Sequence, residues 1–243
     1  MVPGLEGAGT VVKTGDGEEE KALQGKRVSF TKMAETESGH HKNGGTWSEF
    51  VLTNATQCWE LDDDITWEQG ASSFINPFSA IGLLDKIKDY GGKSIIQTAA
   101  ASQLAGMMRR LCKENNITVV NVVRRAEQVE QLKAEGVEHV LDSSTETFDR
   151  DLYALSQQLE CTVGLDPIAG NMPARILQVL GPGGALIQYG ELSLEKISYI
   201  NPVVFIYKAQ TLEGFWLGGW LETKSADERK QIGEDAKKLL PET

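Results

Sequence analysis

Two apolar runs joined by one helical stretch dominate the middle of the chain. Ser94 to Thr98 is a short apolar run followed by a cluster of very small residues. Leu104, Met107, Met108 and Leu111 then recur at helical spacing. Thr118 to Val123 is rich in β-branched side chains, as a parallel strand covered on both faces should be. Strand, turn, helix, strand is a βαβ unit. The alternation continues with a helix over Glu127 to Glu135, a strand over Val137 to Leu141 and a helix near Thr147 to Leu159. A strand over Cys161 to Asp166, a helix over Met172 to Leu180 and a strand over Ala185 to Tyr189 follow. Pro202 to Tyr207 reads as a helical turn and Thr211 to Leu217 as a sixth strand. Strands alternating with helices require a parallel, doubly wound α/β sheet.

The flanks read differently. Gly9 to Lys13, Lys26 to Thr31, Thr46 to Thr53 and Gln57 to Leu61 predict strands joined by glycine-rich turns. The polar stretches Thr14 to Gln24 and Met33 to Gly45 read as surface loops. Thr66-Trp67-Glu68-Gln69 has the form of a capping box. Asn76-Pro77 reads as an N-cap and N1 proline opening a helix through Ile87. Ser225 and Glu228 form a second capping box, starting a helix that runs to Leu240 and stops at Pro241. The expected division is 1–74, 75–220 and a returning helix over 221–243.

The turn after the first central strand carries the candidate chemistry. A dinucleotide-binding turn reads G-x-G-x-x-G, and here those positions hold Ala100, Ser102 and Ala105. Alanine suffices for close helix packing, and Ser102 can cap the helix while leaving its start open to an anion. The same pattern also serves a βαβ unit that holds no nucleotide. An acidic residue at the end of the second strand suits a ribose 2′-hydroxyl, whereas arginine suits a 2′-phosphate. This chain has Arg124-Arg125 there. Planar guanidinium binds phosphate bidentately, which favours NADP(H); the alternative is a solvated pair bridged to Glu127 and Glu130.

The net charge of -11 argues against a nucleic-acid partner or an anionic membrane surface. Cys58, Cys112 and Cys161 are odd in number and widely spread, so neither a disulfide framework nor a zinc knuckle is indicated. His40-His41 have no Cys or acid at ligand spacing and read as solvated. His139 reads as a core residue on its strand. No run approaches membrane-spanning length.

Several ordered motifs resemble the zinc-independent branch of the medium-chain dehydrogenase/reductases, the quinone oxidoreductase and mitochondrial 2-enoyl thioester reductase group. They are Pro3 to Gly9, Gly44 to Phe50, Asn76 to Ala80, Thr98 to Ala105, Gly181 to Gly190 and Phe215 to Trp220. The resemblance implies a Rossmann domain beside a partial GroES-like β domain. Zinc-dependent relatives carry a ligand histidine where this chain has Leu5, so no metal is expected. The resemblance also implies NADPH-dependent hydride transfer to an activated alkene, enoyl thioester or quinone. Ser102 and Gln103, flanked by Ala101 and Leu104, would meet the pyrophosphate, and Asn76, Tyr189, Phe215 and Leu217 would line the nicotinamide pocket.

The family's pattern starts upstream of Met1, with strands that carry its usual active-site tyrosine or asparagine, and continues past Thr243. A shortened member is therefore expected, and no catalytic residue is assigned. A homodimer through 211–217, a small-molecule substrate and a cytoplasmic or mitochondrial-matrix location complete the expectations. The contrasting reading is a catalytically weak Rossmann-containing subunit of a larger assembly.

Overall fold

The structure is a computed structural model that describes residues 2–32 and 45–240. His40 and His41 lie outside the described residues. The chain divides into one unit of Met1–Phe78 with Lys224–Thr243 and a second of Ser79–Thr223.

In the first unit, β1 (Glu6–Thr10), β2 (Arg27–Thr31) and β3 (Cys58–Glu60) form an antiparallel sheet in that order. Three expectations fail here. A short helix, α1 (Glu18–Ala22), interrupts the polar stretch read as loop, its three glutamates lying at the favourable positive end of the helix dipole. The first strand begins at Glu6 rather than Gly9, because Gly7 and Gly9 pass close under the Phe30 ring. Residues 46–53 form no strand; Thr46 instead donates to the Glu6 carbonyl at 2.6 Å and its segment folds back on the entry loop.

Both helix-opening motifs flanking the second unit hold. Thr66 and Gln69 cap α2 (Trp67–Ala71) reciprocally, and Ser225 and Glu228 do the same for α10 (Ala226–Lys237). That last helix ends at Lys237, short of the expected Leu240. Asn76 is not a cap. Helix α3 (Ile75–Asp89) starts two residues before the expected first helical residue, Pro77, and Glu6 Oε2 accepts from the Ile75 and Phe74 amides at 2.8 and 3.3 Å. A carboxylate from β1 thus does the capping, and Pro77 sits where its missing N–H is not needed.

The second unit is a six-stranded parallel sheet in the order β6-β5-β4-β7-β8-β9. Its strands are β4 (Ser94–Gln97), β5 (Thr118–Val123), β6 (Val140–Asp142), β7 (Val163–Asp166), β8 (Ala185–Gln188) and β9 (Thr211–Gly214). Between them run α4 (Gln103–Glu114), α5 (Ala126–Ala134), α6 (Phe148–Gln158), α7 (Met172–Val179) and α8 (Val203–Ile206). Ile95, Ile96, Val163, Leu165, Leu186 and Ile187 are essentially fully buried, as strands covered on both faces require. Strand order reverses at β4 and β7, which places a crevice outside their carboxyl ends. Strand β9 stops at Gly214, and α9 (Leu217–Glu222) begins where the strand was expected to continue. The turn follows from packing: Phe215 leaves the strand to pack against Gly82, where a Cβ would lie 2.6 Å from its ring. His139 precedes β6 rather than lying on a strand, half-buried, with its carbonyl accepting from the Asn121 amide at 2.8 Å.

Candidate functional site

The turn from β4 into α4 is fixed on every side except one. The Thr98 amide donates to the Leu165 carbonyl at 3.0 Å, and the Ala100 amide to the Val122 carbonyl at 3.1 Å. These bonds tie the turn to both neighbouring strands. Ser102 has the extended backbone of an N-cap, and its Oγ accepts from the Ala105 amide at 3.3 Å. Its own amide returns to the Ala99 carbonyl at 2.9 Å, and the Gly106 amide reaches the Ser102 carbonyl at 3.0 Å. The Ala101 amide takes no part in these bonds. The Gln103 and Leu104 amides belong to the first helical turn, where no carbonyl lies one turn below them. Three backbone donors therefore converge at the positive end of a 12-residue helix.

Backbone strain sits at an unexpected place. Ser102 keeps a negative φ of -80°, so it bears none of the cost foreseen for replacing glycine. Ala99 carries it instead, at φ 48°. A left-handed alanine costs roughly 1 kcal/mol relative to glycine and persists because its surroundings over-determine it.

Behind the turn lies a polar lattice in an otherwise apolar sheet. Gln97 Nε2 donates to Asn121 Oδ1 at 2.8 Å and to the Ala105 carbonyl at 3.2 Å, holding the first turn of α4 against β4 and β5. At the strand-order reversal, fully buried Asp166 accepts from the Thr98 hydroxyl. Its second oxygen accepts from the Ala169 amide at 2.8 Å, the Ile168 amide at 3.2 Å and Gln188 Nε2 at 3.0 Å. Among the described residues, Gln188 Oε1 is buried with no partner. Sequence reasoning missed this node, although an aspartate closing the apolar run Val163-Gly164-Leu165 was a signal that a buried charge must be paired.

The expected site residues fall into groups. Ala101, Ser102, Gln103 and Leu104 form the open side of the turn. Arg124 and Arg125 follow β5 on the adjacent strand, both exposed. Among the described residues neither is in an ion pair, so the bridges to Glu127 and Glu130 do not form; the Arg124 amide instead donates to Gln128 Oε1 at 3.3 Å. Tyr189 and Phe215 leave the carboxyl ends of β8 and β9, their amides bonded to the Asp166 and Gln188 carbonyls at 3.0 and 2.8 Å. Burial, with Asp166 nearby, pushes the Tyr189 phenol well above its ordinary range, so it stays protonated and able to donate. Leu217 is half-buried at the start of α9. Asn76 lies in the first turn of α3 and belongs to the first unit.

Among the described residues no three His, Cys, Asp or Glu side chains come together to hold a metal. Burial pushes the Cys58 and Cys161 thiols up to about 11 and Cys112 to about 12, the opposite of an activated nucleophile. Among the described residues no helix is long and apolar enough to cross a membrane.

Residues 104–231 match the family profile described as zinc-binding dehydrogenase, and residues 1–63 match the alcohol dehydrogenase GroES-like domain. The mitochondrial enoyl-[acyl-carrier-protein] reductase of Arabidopsis thaliana is 29% identical over 195 residues, covering 78% of this chain and 52% of that protein. Its namesake in Dictyostelium discoideum is 27% identical over 241 residues, covering 95% of this chain and 65% of that protein. The chain thus spans about half to two thirds of the length of these curated relatives. A solved structure from Mesorhizobium loti, named as a candidate NADPH:quinone reductase, is 32% identical with a TM-score of 0.86. That match covers 97% of this chain and 67% of that one.

Proposed function

Because the chain belongs to the medium-chain dehydrogenase/reductase family, matching its zinc-binding dehydrogenase profile over 104–231, we propose that it is an NADPH-dependent oxidoreductase. The acceptor is an activated alkene, an enoyl thioester or a quinone. The observation that carries this reading is the open start of α4 beside two exposed arginines at the end of β5 that, among the described residues, bridge no carboxylate. A dinucleotide fits that donor set. The Ala101, Gln103 and Leu104 amides with the Ser102 hydroxyl take the pyrophosphate, and Arg124 and Arg125 take a 2′-phosphate. Tyr189, Phe215 and Leu217 line the nicotinamide end. When bound, NADPH supplies the hydride; the protein orients it and excludes water. The acceptor classes come from the relatives, two named enoyl-[acyl-carrier-protein] reductase and one named as a candidate NADPH:quinone reductase.

The reading is zinc-free. Its support is Leu5, an exposed apolar residue at the position where zinc-dependent relatives carry histidine, and the chemistry of the cysteines, which are widely separated and held protonated. Elemental analysis showing one zinc per chain after dialysis would overturn that part. The reading also includes a homodimer, because among the described residues β9 ends the sheet as an unpaired edge. A mitochondrial location is the one that the relatives' names support.

The test is NADPH oxidation by the full chain against enones, quinones and enoyl thioesters. Binding of NADPH with turnover of at least one class is the expected result. Binding without turnover would favour the assembly-subunit reading, for which the glycine-free turn is the supporting observation. No binding at all sinks the proposal.

A further inference from the structure

The phosphate turn contains no glycine between Thr98 and Ala105, so something other than backbone freedom must fix its donors. The guanidinium of Arg109, on the second turn of α4, reaches back along the helix. Its Nη1 donates to the Ala100 carbonyl at 2.6 Å, and its Nη2 meets Glu135 Oε2 at 3.4 Å. The side chain is only 20% exposed, and burial lowers its pKa from the usual arginine value. An arginine this enclosed is held for a reason. In a planar trans peptide the carbonyl and the following N–H point in opposite directions. Drawing the Ala100 oxygen inward, towards α4, therefore turns the Ala101 amide outward to the open side of the turn.

We propose that Arg109 is a positioning residue for the cofactor pyrophosphate, aiming the Ala101 amide by holding the Ala100 carbonyl. This rests on the cofactor reading above and adds to it a residue that touches no ligand. Arg109 thus replaces, by an external brace, what glycine does elsewhere by local freedom. The pairing with Glu135, which closes α5, fixes the guanidinium from its other side. The brace acts on the part of the ligand that NADPH and NADH share. It has no bearing on the 2′-phosphate.

The experiment compares the parent with Arg109→Met, Arg109→Gln and Arg109→Lys, titrating each with NADPH and with NADH by nicotinamide fluorescence, alongside thermal melts. Methionine removes the donor, and glutamine, a good helix former, is too short to reach the carbonyl. Both should raise the two dissociation constants by the same factor, about tenfold or 1.4 kcal/mol. Lysine restores one donor and should bring both constants back to within about threefold of the parent. Glutamine keeps the comparison intact if the methionine chain does not melt cooperatively. Parent-like constants in the glutamine variant overturn the brace and leave the cofactor reading standing. A loss confined to NADPH also overturns it, because Arg109 would then be reading the 2′-phosphate. Equal losses that lysine fails to restore overturn it as well, since a bulk packing defect would behave that way. A parent that binds neither cofactor overturns the cofactor reading and the brace together.

Discussion

The Thr98 hydroxyl donates to Asp166 Oδ1 across the carboxyl ends of β4 and β7, the two strands between which the sheet order reverses. Asp166 is fully buried and receives three further donors, from the Ile168 and Ala169 amides and from Gln188. The segments after β4 and after β7 and the last residue of β8 are thereby tied to one carboxylate. Replacing Asp166 by alanine takes the acceptor from four donors, of which the Thr98 hydroxyl and the Ala169 amide are buried while Gln188 keeps the Gly190 carbonyl, and should lower stability by about 3 kcal/mol. Asparagine keeps one acceptor oxygen for the three donors at Oδ2 but turns an amide towards the Thr98 hydroxyl, and should cost about 2 kcal/mol. Urea denaturation measures both. An alanine variant within 1 kcal/mol of the parent, by about the scale expected for a surface change, would mean that the node is dispensable.

Ala99 offers a test with the opposite sign. At φ 48° it occupies a conformation that glycine adopts freely. Ala99→Gly should stabilise the fold by about 0.5 kcal/mol, the relief of strain outweighing the greater entropy of the unfolded chain. Ala99→Val should destabilise it by about 1–3 kcal/mol, because a β-branched side chain resists positive φ. Thermal melts of the two variants moving in the same direction would refute the argument.

These two residues show what the sequence made legible. The βαβ order, the capping at Ser102, both capping boxes and the open helix start follow from local periodicity and cap chemistry, and each was readable. The location of strain was not, because φ at Ala99 is imposed by the bonds of Thr98 and Ala100 to the neighbouring strands, contacts 67 and 22 residues away in sequence. Glu6 capping α3 is hidden for the same reason, since its partners lie 68 and 69 residues on. The strand expected over Thr211 to Leu217 stops at Gly214 because Phe215 packs on Gly82, which no periodicity could reveal.

A pH dependence follows from the edge of the sheet. Lys86 Nζ meets Glu213 Oε1 at 2.6 Å, and the Tyr90 hydroxyl donates to Oε2 at 2.8 Å. Burial pushes the Glu213 carboxyl up, but the bonds from Lys86 and Tyr90 outweigh it and leave the pKa below the ordinary 4.5. A depressed carboxylate contributes stability that is present above 4.5 and lost as pH falls through the folded value. The Lys86 ammonium is raised above 10.5 by its bond to Glu213, so its contribution is present below that pH and lost above it. Both side chains remain 26–30% exposed, so Glu213→Gln should cost only about 0.5–1 kcal/mol near neutrality. The difference between parent and variant should shrink as pH falls below 4.5. A difference that grows rather than shrinks as pH falls below 4.5 would show that the bond is not charge-assisted.

The arginine pair separates recognition of the cofactor from support of the fold. Arg124 and Arg125 are exposed and, among the described residues, bridged to no carboxylate. Their removal therefore breaks no ion pair, and the double alanine variant should melt close to the parent. Charge-assisted hydrogen bonds of about 1.5–3 kcal/mol each would be lost to a 2′-phosphate, less the screening that exposure brings. That predicts a loss of NADPH affinity of about tenfold to a hundredfold, at about 1.4 kcal/mol per factor of ten. NADH lacks the phosphate, and its dissociation constant should stay within about twofold. The loss should also diminish as salt rises, since exposed charges are screened over roughly 10 Å at 0.1 M. Titration calorimetry of both cofactors at two ionic strengths reads all of this. Equal weakening of NADPH and NADH would make the pair a support for the β5–α5 turn rather than a phosphate clamp, and unchanged binding of both would place the 2′-phosphate elsewhere.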